Sequence, residues 1–242
     1  MSPYLGELLG TTLLDMFGDG VVANVVLSRS KGQNSGWIVI AAGWACAVTV
    51  AVYAVNAVSG AHLNPAVTIA LASIGKFEWA RVPGYVLAQT AGAFFGSVLV
   101  WLTYLPHWPL TDDKRLKLAV FCTGPAVRQP LANLLSEAIA TAALVGGLLT
   151  VLTPKNLVPN SGFESAFAPL LVGIIVFAVG LSLGGSTGYA INPARDLGPR
   201  LAHALLPIPG KGDSDWGYAW VPVVGPIIGA VVGAWAYVVL WT

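Results

Sequence analysis

The chain has 242 residues, of which 56% are hydrophobic and only 10% are charged, with a formal net charge of +1 and a mean hydropathy of +0.74. A soluble domain usually carries about 25% charged residues on its surface, so this composition excludes a soluble globular protein and predicts a surface that faces lipid. The near-neutral charge gives no reason to expect a nucleic-acid partner. The cysteines, Cys46 and Cys122, have no CxxC or metal-ligand spacing, and no disulfide between them is expected.

Long apolar segments predict membrane-spanning helices. Six of them follow one another along the chain, at residues 4–27, 37–58, 82–105, 131–152, 167–183 and 219–241. Each is close to the ~20 residues that a helix needs to cross a bilayer. The polar linkers between the spans are longest at residues 106–130, and shorter ones lie at 154–162 and 207–217.

Glycine pairs with GxxxG spacing occur in the third and sixth spans. They are Gly92 with Gly96 and Gly229 with Gly233. Glycine lets helices approach closely inside a membrane, so each pair predicts a helix–helix packing contact.

Two further apolar segments, at residues 63–74 and 191–206, are too short to span a bilayer. Each contains the same tripeptide near its start, namely Asn64-Pro65-Ala66 and Asn192-Pro193-Ala194. Asparagine is a strong N-cap and proline suits the first helical position. Each segment is therefore predicted to be a half-helix whose N-terminus is set by Asn-Pro.

The two halves of the chain repeat each other. Glu7 in the first span matches Glu137 in the fourth, and Gly60 and Gly188 each precede the motif asparagine by the same interval. Each half has three spans, an odd number, so the second copy must lie inverted in the membrane. We predict one channel domain over residues 1–242, with repeat one at about 1–105, the linker at about 106–130 and repeat two at about 131–242.

Inverted half-helices predict a pore near the middle of the membrane. Each helix N-terminus carries about +0.5 charge, so two of them facing one passage repel cations, including hydronium. The amides of Asn64 and Asn192 can donate hydrogen bonds to a passing oxygen atom. Extended backbone before each asparagine is tolerated at this depth only if it lines a cavity. Its carbonyl groups are expected to face the pore, at Gly60, Ala61, His62, Gly188, Tyr189 and Ala190.

Both motif regions resemble the signatures of the aquaporin (major intrinsic protein) family. Residues 59–68 read Ser-Gly-Ala-His-Leu-Asn-Pro-Ala-Val-Thr, and residues 188–200 read Gly-Tyr-Ala-Ile-Asn-Pro-Ala-Arg-Asp-Leu-Gly-Pro-Arg. The resemblance covers nearly the whole chain, including Glu7 and Glu137. It implies the aquaporin fold: an all-α membrane protein with six transmembrane helices and two re-entrant half-helices in an inverted repeat. It also implies a homotetramer in the plasma membrane, with one pore per subunit.

The resemblance further implies a selectivity filter made of Trp44, Gly180, Tyr189 and Arg195. Water-selective members usually have histidine where Gly180 stands, so this ring is expected to be wide. Trp44 and Tyr189 would face the carbon backbone of a solute, and Arg195 would donate to its hydroxyl groups. The aspartate after Arg195 resembles the glycerol-facilitator branch. The family more often has phenylalanine at Tyr189, so the role of this hydroxyl stays open.

These features predict a passive channel for glycerol, water and other small uncharged solutes, such as dihydroxyacetone, urea or undissociated lactic acid, that excludes ions and protons. A water-selective channel is the alternative that Gly180 disfavours. A proton-coupled transporter of small acids, using Asp15 or Glu7, is a third hypothesis that the double motif disfavours. We find no nucleophile–base pair, metal cluster or phosphate-binding loop, so neither an enzyme activity nor a metal or cofactor is expected.

Several polar residues in the predicted spans need an interpretation. Glu7 and Glu137 are expected to anchor the loops before the motifs by accepting backbone hydrogen bonds. The side chain of His62 is expected to brace its loop. Asp15 is interpreted as a subunit contact, and Asp19 as a residue near the membrane interface.

The charge distribution and the family disagree on orientation. The family has both termini in the cytoplasm, which leaves Lys76, Arg81 and Lys155 on the cytoplasmic side and most other cations outside. The positive-inside rule favours the opposite arrangement. We keep the termini cytoplasmic as the expectation.

Overall fold

The computed structural model of the protein describes residues 1–153, 156–157 and 162–242, except for the side chains of 163–165. The regular secondary structure of these residues is helical. Lys155 and most of the predicted linker at 154–162 lie outside the described residues. The helices are α1 (Pro3–Val26), α2 (Trp37–Ser59), α3 (Pro65–Ser73), α4 (Val82–Thr103), α5 (Lys114–Phe121), α6 (Pro130–Val151), α7 (Gly162–Leu183), α8 (Pro193–Leu205) and α9 (Val221–Trp241).

Six of the described helices, α1, α2, α4, α6, α7 and α9, are long and apolar enough to cross a membrane. They correspond to the six predicted spans, and their ends differ from the prediction by one or two residues in most cases. The exception is α7, which begins at Gly162, before the predicted start at residue 167. The half-helices α3 and α8 have 9 and 13 residues. The prediction of an all-α membrane architecture is confirmed.

Helix α5 was not predicted. It lies inside the segment 106–130, which the sequence indicates only as a polar linker. Asp113 caps its N-terminus by accepting a hydrogen bond from the backbone N–H of Arg115 at 2.8 Å. Its apolar side packs inward, since Val120 and Phe121 are buried. The helix was missed because its first turns are rich in lysine and arginine, which resemble a solvated loop.

The glycine pairs pack helices within this single chain. A Cβ atom added to Gly92 on α4 would lie 2.3 Å from the carbonyl oxygen of Leu8 on α1. A Cβ atom added to Gly229 on α9 would lie 2.0 Å from the carbonyl oxygen of Ala138 on α6. The predicted close contacts are therefore confirmed, and they join α1 to α4 and α6 to α9. Each repeat of the chain is held together by one such seam.

Polar and apolar side chains are distributed as in a membrane protein. Large apolar side chains point outward, as shown by Leu87, Leu131 and Val239, each of which is more than 70% exposed. The described glutamate and aspartate side chains of the spans, those of Glu7, Asp15, Asp19 and Glu137, are buried instead. The bilayer can cover the apolar outer surface, while the acidic side chains are enclosed by the protein.

Candidate functional site

The two Asn-Pro-Ala motifs begin the two half-helices in the same way. The side-chain oxygen of Asn64 accepts a hydrogen bond from the N–H of Ala66 at 2.9 Å. The side-chain oxygen of Asn192 accepts one from the N–H of Ala194 at 3.0 Å. Pro65 and Pro193 occupy the first helical positions, where a missing N–H costs nothing.

The N-termini of α3 and α8 meet inside the protein. The amide of Asn64 donates to the carbonyl oxygen of Ile191 at 2.8 Å, and the amide of Asn192 donates to that of Leu63 at 2.8 Å. A side-chain amide has two N–H donors, so each asparagine keeps a second donor beyond this bond. The structure thus brings both motifs to one place, as inversion of the repeats requires.

The sequence predicted extended backbone before each asparagine, and the structure differs. In the first loop φ is +81° at Gly60, +48° at Ala61 and +51° at Leu63. The second loop repeats this pattern, with φ of +86° at Gly188, +39° at Tyr189 and +45° at Ile191. Left-handed backbone at a residue with a side chain is strained and persists only where its surroundings impose it.

Glu7 and Glu137 supply those surroundings. The Glu7 carboxylate accepts from the N–H groups of His62 at 3.0 Å and Leu63 at 2.7 Å. The Glu137 carboxylate accepts from the N–H groups of Ala190 and Ile191, both at 2.9 Å. Gln89 also donates to Glu7, and Thr187 donates to Glu137. Both glutamates are buried, and each fixes the orientation of two consecutive peptide planes.

The glutamates also determine where the loop carbonyls point. In a trans peptide the C=O points opposite to the N–H. The N–H groups of His62 and Leu63 face Glu7, so the carbonyls of Ala61 and His62 face away from it. By the same geometry the carbonyls of Tyr189 and Ala190 face away from Glu137. These four residues all line the internal cavity. Gly60 lines the cavity as well, while Gly188 packs against Thr123.

That cavity has a volume of about 340 Å³ and extends along the inside of the protein. Trp44, Tyr189 and Arg195 line it together with both motif asparagines. It is also lined by Leu71 near the C-terminal end of α3, by Lys76 beyond that end, and by Asn56, Thr153 and Tyr237. The path therefore continues past the point where the half-helices meet.

Arg195 and Trp44 lie in direct contact. The guanidinium carbon of Arg195 is 4.1 Å from the centre of the Trp44 ring system, which is a cation–π arrangement. Both side chains are almost fully buried, with 7% and 3% exposure. This stacking holds the flat guanidinium in one orientation, so its N–H donors have a fixed direction.

Gly180 has a different role from the one expected. Its missing side chain was expected to leave space for solute, but the ring of Tyr189 fills that space. A Cβ atom on Gly180 would lie 2.9 Å from the Tyr189 Cζ atom and 3.1 Å from its hydroxyl oxygen. Trp37 packs edge-on against the same ring, with 5.7 Å between the ring centres. A side chain at position 180 would therefore have to displace the Tyr189 ring.

His62 is held by its neighbours on both sides. Its Nδ1 atom lies 3.1 Å from the hydroxyl oxygen of Thr68, and its ring packs on Phe77 and Tyr85. Tyr85 donates a hydrogen bond to the carbonyl of Ser59. The side chain thus links its loop to α3 and α4.

A buried ion pair that begins at the residue after Arg195 was not predicted from the sequence. Asp196 and Arg200 on α8 form it, with 2.7 Å between the charged atoms and no exposure of either side chain. Arg200 also donates to the carbonyls of Thr123 and Ser214, and Asp196 accepts from the N–H of Thr123. The pair therefore fastens the loops that contain Thr123 and Ser214 to α8. The sequence signal for this pair was an acid and a base four residues apart in the predicted half-helix.

Asp15 does not lie where it was expected, and Asp19 is enclosed by the protein. Both have 0% exposure within the single chain, so Asp15 is not available to a neighbouring subunit and Asp19 is shielded from lipid and water. Small residues on α4 make room for them. Gly96 packs on the Asp15 side chain, and Ser97 donates to an Asp19 carboxylate oxygen at 2.6 Å.

Comparison with known proteins agrees with this architecture. The sequence matches the family described as Major intrinsic protein over residues 1–237. It is 62% identical over 237 residues to a probable glycerol uptake facilitator protein of Thermotoga maritima, with 98% of each chain covered. It is 54% identical to the glycerol uptake facilitator protein of Bacillus subtilis, covering 98% of this chain and 84% of that protein.

A solved structure has the same fold. The X-ray structure of the aquaglyceroporin from Plasmodium falciparum superposes with a TM-score of 0.85 at 32% identity, covering 97% of this chain and 93% of that one. The similarity to these proteins covers nearly the full length of the chain. It accompanies the paired motifs, the two half-helices that meet at their N-termini, and the internal cavity. The chain therefore belongs to the major intrinsic protein family.

Proposed function

We propose that the protein is a passive channel that conducts glycerol and water and excludes ions and protons. The observation that carries the proposal is the cavity that Trp44, Tyr189 and Arg195 line together with both motif asparagines. Two relatives, 62% and 54% identical in sequence to this chain, are named as a probable glycerol uptake facilitator protein and a glycerol uptake facilitator protein. Dihydroxyacetone, urea and undissociated lactic acid are further candidate solutes because they are small, neutral and able to form hydrogen bonds.

The filter has two chemically different sides. The Trp44 and Tyr189 rings offer an apolar surface to the carbon atoms of glycerol. The guanidinium of Arg195 and the carbonyls of the second loop offer donors and acceptors to its hydroxyl groups. The hydroxyl groups of a polyol can then exchange their hydrogen bonds with water for hydrogen bonds with the polar side. Its carbon atoms form few hydrogen bonds in water, so they lose none of importance against the apolar side.

Several fixed charges and dipoles oppose ions. The positive ends of α3 and α8 meet at the asparagines, and Arg195 lines the cavity. Among the described residues that line the cavity, the charged side chains are those of Lys76 and Arg195, and no carboxylate lines it. A cation entering this path meets positive potential without a compensating acid.

The protein is a multi-pass membrane protein, and we propose that it is a homotetramer in the plasma membrane with both termini in the cytoplasm. The whole chain, residues 1–242, would form one channel domain without a cofactor. Orientation can be measured by protease or tag accessibility of the loop that contains Lys114. Cleavage from the cytoplasmic side would reverse the assignment.

Stopped-flow light scattering on proteoliposomes tests the conduction. Vesicles with the protein should shrink rapidly in sucrose and in glycerol, and should re-swell rapidly in glycerol only. Rapid shrinkage without re-swelling would mean a water-selective pore.

Two tryptophan substitutions on α7 provide a matched control. Val176 lines the cavity and is 5% exposed, whereas Ile174 points outward and is 51% exposed. Val176→Trp should block both solutes because an indole occupies much of the passage. Ile174→Trp should conduct normally. Equal flux through both variants would show that solute does not follow this cavity.

A further inference from the structure

Asp15 and Asp19 are buried acids that the proposed conduction path does not use. Neither carboxylate oxygen of Asp15 accepts a hydrogen bond from any residue that the structure describes. Asp19 accepts one from Ser97 through one oxygen, and its other oxygen is likewise unpartnered. A carboxylate inside a membrane span is costly, so its presence there indicates a function.

Their position connects them to the filter. A Cβ atom on Gly18, between the two aspartates on α1, would lie 2.2 Å from the Trp44 ring. The same Trp44 ring contacts the Arg195 guanidinium, 4.1 Å from the ring centre. Trp44 thus contacts both Arg195 and the helix that bears the aspartates, and the three charged groups lie in one buried region.

The neighbouring charges do not balance without this pair. Arg195 and Arg200 are both charged at every accessible pH. Asp196 is committed to Arg200 by the buried ion pair. In the described part of the chain, none of the ion pairs includes Arg195. One further negative charge is needed to compensate it, and a buried charge without compensation is unfavourable.

Two carboxyl groups on successive helical turns in a dry interior do not both ionise, because like charges repel strongly there. Two such groups that hold one proton in total carry a single negative charge as a pair. The other groups around them are Ser97 from α4, Asp196 from α8, the Trp44 ring from α2 and the buried Cys122 after α5.

We propose that Asp15 and Asp19 are positioning residues that together hold one negative charge and so balance the charge of Arg195. This inference rests on the proposed channel function. With its charge balanced, Arg195 donates hydrogen bonds to neutral hydroxyl groups and does not retain anions. Without the balancing charge, the filter binds small anions, and these obstruct the passage of glycerol.

The test compares glycerol flux in nitrate with flux in gluconate, because nitrate is small, planar and suited to a guanidinium, whereas gluconate is too large for the filter. The measurement is made at about pH 8.5, below the ordinary pKa values of tyrosine and lysine. The isosteric double variant Asp15→Asn/Asp19→Asn should conduct glycerol at least about threefold more slowly in nitrate than in gluconate. The wild-type protein should show a ratio near one.

The single variants separate charge from packing. Asp15→Asn and Asp19→Asn each retain one carboxyl group that can hold the negative charge, so each should resist nitrate. Ser97→Ala removes the hydrogen bond without changing charge and should also resist it. Acidification should make the wild-type protein sensitive to nitrate as the pair takes its second proton, whereas the double variant should be equally sensitive at both pH values.

The inference is overturned if the double variant resists nitrate, or if a single variant is as sensitive as the double one. Failure of the channel proposal has a different signature. The wild-type protein would then fail to conduct glycerol even in gluconate, and the nitrate effect would be measured on osmotic water flux through the same filter.

Discussion

Asn64 and Asn192 exchange equivalent hydrogen bonds across the middle of the protein, each donating to the carbonyl that precedes the other asparagine. The two half-helices are therefore joined end to end through their caps. A neutral hydrogen bond of this kind stabilises a protein by only about 0.5–1.5 kcal/mol. The loops before the asparagines, which have strained backbone, must be held by stronger contacts, and the buried glutamates provide them.

Replacing Glu7 or Glu137 by glutamine should disturb both stability and conduction. Each carboxylate accepts two backbone N–H groups. Glutamine replaces one of the two acceptor oxygens by an NH₂ donor, which then faces a backbone N–H. This should lower the free energy of unfolding by about 1.5–3 kcal/mol. Thermal unfolding in detergent should show similar losses for both variants, and both should conduct glycerol more slowly. Asp112→Asn, an exposed carboxylate-to-amide change, should alter neither. Normal flux in Glu7→Gln would show that the loop carbonyls do not depend on this anchor.

Gly180→His should reduce glycerol flux and should also destabilise the protein by about 1–3 kcal/mol, since a side chain is forced into a filled site. The added side chain has to displace the Tyr189 ring toward the passage. Water, being smaller, should be affected less. Gly185→Ala is the control, because a Cβ atom there meets nothing within 4 Å. Unchanged glycerol flux in Gly180→His would refute the contact between Gly180 and Tyr189 as a determinant of pore width.

Tyr189→Phe should leave stability within about 1 kcal/mol, because the buried hydroxyl has no hydrogen-bond partner among the described residues to lose. The ring contact with Trp37 should persist. A phenylalanine wall is more apolar, so permeability to glycerol should rise relative to urea. Both solutes can be measured by re-swelling of the same vesicles. An unchanged ratio would mean that the hydroxyl has no part in selection.

The sequence was informative where structure is determined locally. Span length follows from the length of an apolar run, and the starts of α3 and α8 follow from Asn-Pro capping, which involves only neighbouring residues. The inversion of the repeats follows from an odd number of spans in each half. Family resemblance then indicated Trp44 and Arg195, and the structure brings these two side chains into contact.

Features that depend on distant contacts were not accessible in the same way. Whether the space beside Gly180 is open depends on how the Tyr189 ring turns, and that is set by Trp37 on another helix. The burial of Asp15 depends on small residues of α4 that no local pattern relates to it. The positive φ values before each asparagine arise because Glu7 and Glu137 pull neighbouring N–H groups the same way.

Gly229→Ala should destabilise the protein by about 1–3 kcal/mol. The new Cβ atom would lie 2.0 Å from the carbonyl oxygen of Ala138, and because that atom belongs to the backbone, α9 must move away from α6. Gly146→Ala is the matched control on α6, since its nearest contact would be 3.8 Å away. It should be neutral or stabilising, as alanine favours a helix by up to about 1 kcal/mol. Equal thermal stability of both variants would contradict a tight α6–α9 seam.

Arg200→Lys should loosen the loops that contain Thr123 and Ser214 although it preserves the charge. The guanidinium donates to Asp196 and to backbone carbonyls of two loops, including that of Ser214. An ammonium lacks this planar fork, and each buried acceptor left without a donor costs about 1–3 kcal/mol. Protease cleavage in these loops should accelerate, together with a lower unfolding temperature.

Arg128→Lys is the control variant for Arg200→Lys. Arg128 pairs with Asp215 near the same loop, but its side chain is 54% exposed, and such surface pairs contribute about 0–1 kcal/mol. Its cleavage rate and unfolding temperature should stay close to those of the wild-type protein. If the two lysine variants behave alike, the buried fork of Arg200 is not what fastens the loops. If only Arg200→Lys is cleaved faster, the Asp196–Arg200 pair is the fastening element, and its burial accounts for the difference.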